Sequence, residues 1–212
     1  MTIEAKELFY KDLSKMPKFG TYYLQKKSLF ENLPDEKNEI IFLGNSITDG
    51  GQWSEMFGNL RIKNRGISGD VTDGVLFRLD EVTASKPKMV FIMIGVNDLA
   101  RGRSVEYITA NYRKIVQRIK DASPKTKIFV QSILPVNPEF NRFKNHVNKT
   151  EAILKLNSEL QNLTKEFKAQ YVDLHSKFVV DENKLNPKYT NDGLHLTGAG
   201  YAAWKEIIKN YF

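Results

Sequence analysis

Three short stretches at residues 40–43, 89–94 and 128–130 are apolar at every position and rich in β-branched and aromatic side chains. Each closes on a polar or glycine-bearing turn. A run with no polar alternation fits a strand covered on both faces. Shorter strands are expected at 61–64 and 169–173. Between them apolar residues recur at helical spacing: Val71, Val75, Leu76 and Leu79; then Ile108, Tyr112, Ile115, Val116 and Ile119; then Ile153, Leu156, Leu160, Leu163 and Phe167. These patterns predict helices over 71–81, 107–119 and 153–167, with a last one over 199–208. Strand and helix in alternation form βαβ units. The expected fold is therefore α/β, a five-stranded parallel sheet inside a three-layer α/β/α sandwich. Residues 1–212 read as one domain. Within it, residues 1–38 form an N-terminal helical extension whose segment 22–30 packs on the core.

At 212 residues, a chain buries roughly 70% of the surface its unfolded form exposes, so it folds without a metal or disulfide. It has no cysteine, which excludes a thiol nucleophile, a disulfide framework and a cysteine-based zinc site. No cluster has metal-ligand spacing, so no metal and no cofactor is expected. The net charge of +7 favours acidic partners in general. The basic residues are scattered, however, and the densest group, at 11–27, is interleaved with apolar and aromatic ones. Without a recognition motif, no nucleic-acid partner is expected. No run reaches the ~20 apolar residues of a membrane span, and residues 1–10 lack the apolar core of a secretory signal. The expectation is a soluble protein without membrane insertion, cytoplasmic, or periplasmic or secreted if a leader has been removed.

In open parallel sheets, sites gather where the strands end. The first such turn, Gly44-Asn45-Ser46-Ile47-Thr48, can project the Ser46 hydroxyl at the sheet edge, with free N–H groups if a helix begins there. Ser46 or Thr48 could equally cap that helix. The second, Asn64 to Asp70, has glycines that allow a tight turn with an inward N–H, or it is an ordinary connection with Asp70 as N-cap. The third, Gly95-Val96-Asn97-Asp98, offers an amide that can donate to an oxyanion or fold into an Asx turn. The last holds Asp192 three residues before His195. That is close enough to orient an imidazole acting as general base. Of the other histidines, His146 lies among polar residues and reads as solvated, whereas His175 follows a strand and competes with His195.

Taken together, these segments resemble the SGNH (GDSL-like) hydrolase family. Gly44-Asn45-Ser46-Ile47-Thr48 looks like the GDSL box, Gly69 stands at its second-block glycine, Gly95-Val96-Asn97-Asp98 matches its Gly-x-Asn-Asp block, and Asp192-Gly193-Leu194-His195 matches its Asp-x-x-His block. The blocks come in the family's order and span residue 40 to the C-terminus. The stretch 64–79 is similar to the platelet-activating-factor acetylhydrolase catalytic-subunit branch, whose bacterial members include sugar O-acetylesterases. One departure is Asn45, where the GDSL box has aspartate.

The resemblance implies a flavodoxin-like fold and a serine esterase, with Ser46 as nucleophile, His195 as base and Asp192 as its orienter. It implies an oxyanion hole from the N–H groups of Ser46 and Gly69 and the side chain of Asn97. Polar loops around Arg101, Arg103 and Asn137 tilt the substrate towards a short acyl group, acetyl, on a polar alcohol such as a sugar. Asn45, Asp70, Arg101 and Asn137 are the candidate substrate-binding residues. The partner is then a small-molecule ester, and the branch also contains homodimers. The alternatives are a lysophospholipase or thioesterase of the same superfamily and a non-catalytic sugar-binding module.

Overall fold

The computed structural model describes residues 19–212. The expectations for residues 1–10, for the first 18 residues of the N-terminal helical extension and for part of the basic group at 11–27 lie outside the described residues. Five strands form one parallel sheet: β1 Ile40–Gly44, β2 Ile62–Gly66, β3 Met89–Met93, β4 Lys127–Gln131 and β5 Gln170–Val172. Their order is β2-β1-β3-β4-β5, the flavodoxin-like arrangement. The central strands β1 and β3 are buried at every position, as expected for strands with helices on both faces. Gly44 pairs in register with both Gly66 and Met93, so the turns after β1, β2 and β3 leave the sheet at one level.

Successive residues of a strand face opposite ways, and each face carries its own half of the core. Phe42, Phe91 and Phe129 are register neighbours on three strands, with stacked rings whose centroids lie 5.1 and 4.4 Å apart. Trp53 stacks on Phe42 at 4.3 Å and meets Trp204 edge-on at 4.7 Å. Offset aromatic pairs of this kind add about 0.5–1.5 kcal/mol each beyond their buried area. The other half of the same core includes Ile108, Ile115 and Ile119 of helix Val105–Ala122 and Leu156, Leu160 and Leu163 of helix Thr150–Glu166. Ser104 caps the first of these helices by accepting the Tyr107 N–H.

Two features depart from the sequence pattern. The helix expected over 71–81 is broken into Thr72–Phe77 and Leu79–Ala84 around Arg78, which has φ −109° and ψ 12°. The Arg78 side chain turns inward and is buried. In addition, Val179–Val180 and Lys184–Leu185 make a two-residue antiparallel ribbon, too short to leave a periodic signal. Helix Thr21–Asn32 buries Tyr23 and Phe30 with Ile67 in a small cluster of its own, beside the turn that follows β2. No described helix is long and apolar enough to cross a membrane.

Candidate active site

The chain leaves β1 at Gly44 and turns at once into the short helix Ser46–Asp49. Its N-cap is Asn45, whose Oδ1 accepts the Ile47 N–H at 3.0 Å. The capping open to Ser46 or Thr48 thus falls to Asn45, and the Ser46 hydroxyl is released for another partner. That partner is His195 Nε2, 2.9 Å away. The turn is held from outside. The Asn64 amide donates to the carbonyls of Thr48, Asp49 and Gly51, Trp53 Nε1 donates to Thr48 O, and the Tyr201 hydroxyl donates to Ile47 O.

Asp192 and His195 share one tight turn. Asp192 Oδ1 accepts the N–H groups of Leu194 and His195 at 2.9 and 2.8 Å, while Oδ2 lies 2.8 Å from His195 Nδ1. Gly193 sits at φ +85°, a left-handed conformation that glycine adopts without penalty. Burial pushes the Asp192 carboxyl up, but the two N–H groups and the His195 ring outweigh it and hold it below the usual carboxylate range. Thus Ser46, His195 and Asp192 form one continuous hydrogen-bonded chain, with the ionised carboxylate on the far side of the imidazole from the hydroxyl. Such a chain can withdraw a proton from the serine and stabilise the resulting imidazolium.

Gly69 occupies the third position of a turn closed by the Asp70 N–H on Ile67 O at 3.1 Å, with φ +79°. That position of a type II turn requires positive φ, and an added Cβ would meet nothing within 4 Å. Glycine is needed here for conformation, not space. Facing it, helix Val96–Ala100 begins after Gly95. The Asn97 amide donates to Asp70 O at 2.9 Å. The next residue, Asp98, accepts the N–H and hydroxyl of Thr72 at 3.0 and 2.7 Å. Asn97 and Asp98 therefore reach across to the neighbouring turn instead of folding into an Asx turn of their own. Burial raises the Asp98 carboxyl, opposed by its bonds from Thr72 and Arg103.

Three of the expected substrate-binding residues are buried. Asn45 is 1% exposed and spends its oxygen on the helix cap. Asp70 is 3% exposed and locked to Arg78, with 3.0 Å between the charged groups. Burial pushes its carboxyl up to about 6 against the pull of that guanidinium. Asn137 is 1% exposed and braces the His195 turn, its N–H on Gly193 O and its amide on Leu185 O. Arg101 is exposed, and its guanidinium bonds Gly69 O at 2.8 Å, at the edge of the site.

The histidines also part company. His175 is buried at the head of helix His175–Phe178, where its N–H meets Ser132 Oγ and burial lowers its ring pKa. Among the described residues, the histidine bonded to Ser46 is His195. His146, expected in solvent, is half-buried with Nε2 3.0 Å from Asn97 Oδ1. It stands between Asn145 and Val147 in the chain, and no periodicity marks it; only the fold brings it over the site.

Above Ser46 opens a cleft of about 690 Å³ lined by Tyr22, Ser46, Asp49, Gly50, Ser68, Gly69 and His195. Helix Thr21–Asn32 supplies one wall: the Tyr22 hydroxyl donates to Asp49 at 2.7 Å, and Lys26 pairs with the same carboxylate at 3.0 Å. The described residues contain no group of three acidic, cysteine or histidine side chains able to hold a metal.

Residues 42–203 match the model of the GDSL-like lipase/acylhydrolase family. The chain is 32% identical over 174 residues to the rat (Rattus norvegicus) platelet-activating factor acetylhydrolase IB subunit alpha2, covering 79% of this chain and 73% of that protein. Its fold is similar to a GDSL-like lipase from Bacteroides thetaiotaomicron, with TM-score 0.79, 29% identity and coverage of 89% and 96% of the two chains. At 19% identity, an acetylxylan esterase from Geobacillus stearothermophilus shares the fold with TM-score 0.67 over 84% of this chain and 95% of its own. With the family model matched over residues 42–203 and a relative 32% identical, the chain belongs to the GDSL-like lipase/acylhydrolase family.

Proposed function

We propose that this acylhydrolase is a serine esterase that removes short acyl groups, acetyl above all, from polar alcohols such as O-acetylated sugars. The observation that carries the reading is the hydrogen-bonded chain from Ser46 Oγ through His195 to Asp192. In the proposed mechanism, His195 Nε2 takes the proton of Ser46 as the hydroxyl oxygen attacks the ester carbonyl. The oxyanion is held by the N–H groups of Ser46 and Gly69 and by the Asn97 amide. The tetrahedral intermediate collapses, and His195 returns the proton to the departing alcohol. Water then cleaves the acyl-enzyme by the same route, releasing the acid. Asp192 keeps the imidazole in the productive tautomer and balances its charge.

Substrate size is argued from the cleft. Tyr22, Asp49 and Ser68 give it polar walls, and the Lys26–Asp49 pair stands at its side, an environment poorly matched to a long alkyl chain. Polar walls with an exposed aromatic ring suit a hydroxyl-rich alcohol. Relatives named for acetyl hydrolysis, one of them on xylan, support the same choice.

The test is turnover of p-nitrophenyl esters from acetate to octanoate by wild type and Ser46→Ala. Rates that fall with acyl length and vanish in the variant are expected. A maximum at octanoate would replace this reading with a lysophospholipase or thioesterase. Equal rates in the two proteins would remove Ser46 from the chemistry and leave the sugar-binding module.

A further inference from the structure

The Asn97 side chain has two partners, and their chemistry decides which atom faces which. The Asp70 carbonyl can only accept, so the atom 2.9 Å from it is Nδ2. Oδ1 then faces His146 Nε2 at 3.0 Å. An amide oxygen also only accepts, so that ring nitrogen carries the hydrogen. His146 Nδ1 is buried without a partner, and a hydrogen there would have no acceptor. The ring is therefore the neutral Nε2–H tautomer. Burial first, then the neighbouring His195, disfavour its protonation, with Arg101 and Lys149 acting in the same sense. One Nδ2 hydrogen of Asn97 goes to Asp70. The second has no partner among the described residues.

From this geometry we infer that His146 is a positioning residue: its Nε2–H holds Asn97 Oδ1, so that the amide keeps its free N–H aimed at the oxyanion. The inference rests on the reading of Asn97 as an oxyanion donor. With an acceptor at one end of the amide and a donor at the other, rotation about χ2 costs both bonds. Asn97 is buried, and removing the donor leaves its carbonyl oxygen without that partner. The same bond polarises the amide and strengthens the N–H as a donor. His146 is carried by the short helix Lys144–Val147, with its N–H on Phe143 O at 2.7 Å. The Phe143 ring meets His146 and His195 edge-on, at 5.9 and 5.1 Å.

The experiment is steady-state hydrolysis of p-nitrophenyl acetate by wild type, H146A, H146Q, N97A and the double variant H146A/N97A, with thermal unfolding of each. Glutamine places an amide donor near the position of Nε2. H146A is expected to lower kcat about tenfold, the worth of one hydrogen bond in the transition state, with KM within about twofold. H146Q should recover most of kcat, and the double variant should be no slower than N97A, because both changes disable one donor. Should H146A not fold, H146Q against H146M makes the comparison at similar bulk, with and without the donor. An impaired N97A beside an H146A of wild-type kcat overturns the role of His146 alone. So does a double variant in which the two losses multiply. A fully active N97A beside an inactive Ser46→Ala overturns the oxyanion reading and the inference together.

Discussion

Asn97 donates its amide to the backbone carbonyl of Asp70 over 2.9 Å, tying the short helix that follows β3 to the turn that follows β2. Asp98 adds its bonds to Thr72, so two consecutive side chains clamp the segment that carries Gly69. The sheet places these turns side by side, and the clamp sets the distance between them. A proposed oxyanion site made from a backbone N–H on one turn and an amide on another depends on that spacing.

Asn97→Ala is expected to lower kcat roughly a hundredfold or more, about 3 kcal/mol of transition-state stabilisation, with a smaller change in KM. Steady-state kinetics on p-nitrophenyl acetate reads both. An unchanged kcat would take Asn97 out of the oxyanion hole.

Gly69→Ala meets no steric obstacle but must hold φ +79°, which costs about 1–2 kcal/mol for an L side chain. Urea unfolding should report a loss of that size. If the Gly69 N–H stabilises the oxyanion, kcat should fall further than so small a loss of stability accounts for, by about tenfold. A variant destabilised to this extent with wild-type kcat would assign Gly69 to the fold alone.

Asp192→Asn removes the charge beside His195 and the acceptor that sets its tautomer. A fall in kcat of about four orders of magnitude is expected. Its effect on stability should depend on pH. The folded carboxyl titrates below its ordinary value of 3.8, so its ionised form stabilises the protein above that value. This contribution is lost as the pH falls through the lowered folded value. The stability gap between wild type and variant should be constant around neutrality and close in acid. A gap that widens in acid would contradict the assignment.

Asp70→Ala leaves the Arg78 guanidinium buried without its counter-charge. Destabilisation of about 3–5 kcal/mol is expected, read as a shift of the urea midpoint. Because Arg78 also donates to Gly44 O at the end of β1, the loss should be felt next to Ser46. A variant as stable as wild type would show that the pair contributes nothing net.

Much of this architecture is written locally. Continuous apolar runs at β1, β3 and β4 and helical spacing in 107–119 and 153–167 locate the sheet and its covering helices. Each element needs only its own residues to declare its period. The four glycine- and asparagine-rich turns are legible for the same reason, since positive φ at Gly69 and Gly193 and the Asp192–His195 turn are short-range constraints. The sequence thereby determines which residues stand at the strand ends. It does not determine their partners. Asn45, Asp70 and Asn137 look alike on paper as polar loop residues, yet the fold buries all three and commits them to a helix cap, an ion pair with Arg78 and a brace on the His195 turn. His146 carries no local signal and reaches Asn97 from a different connection, 49 residues along the chain. The break at Arg78 likewise follows from a tertiary partner and not from helix propensity. Hydrogen bonds and charges are satisfied across space, and whether a polar group faces water or a neighbour is decided only when distant segments close around it.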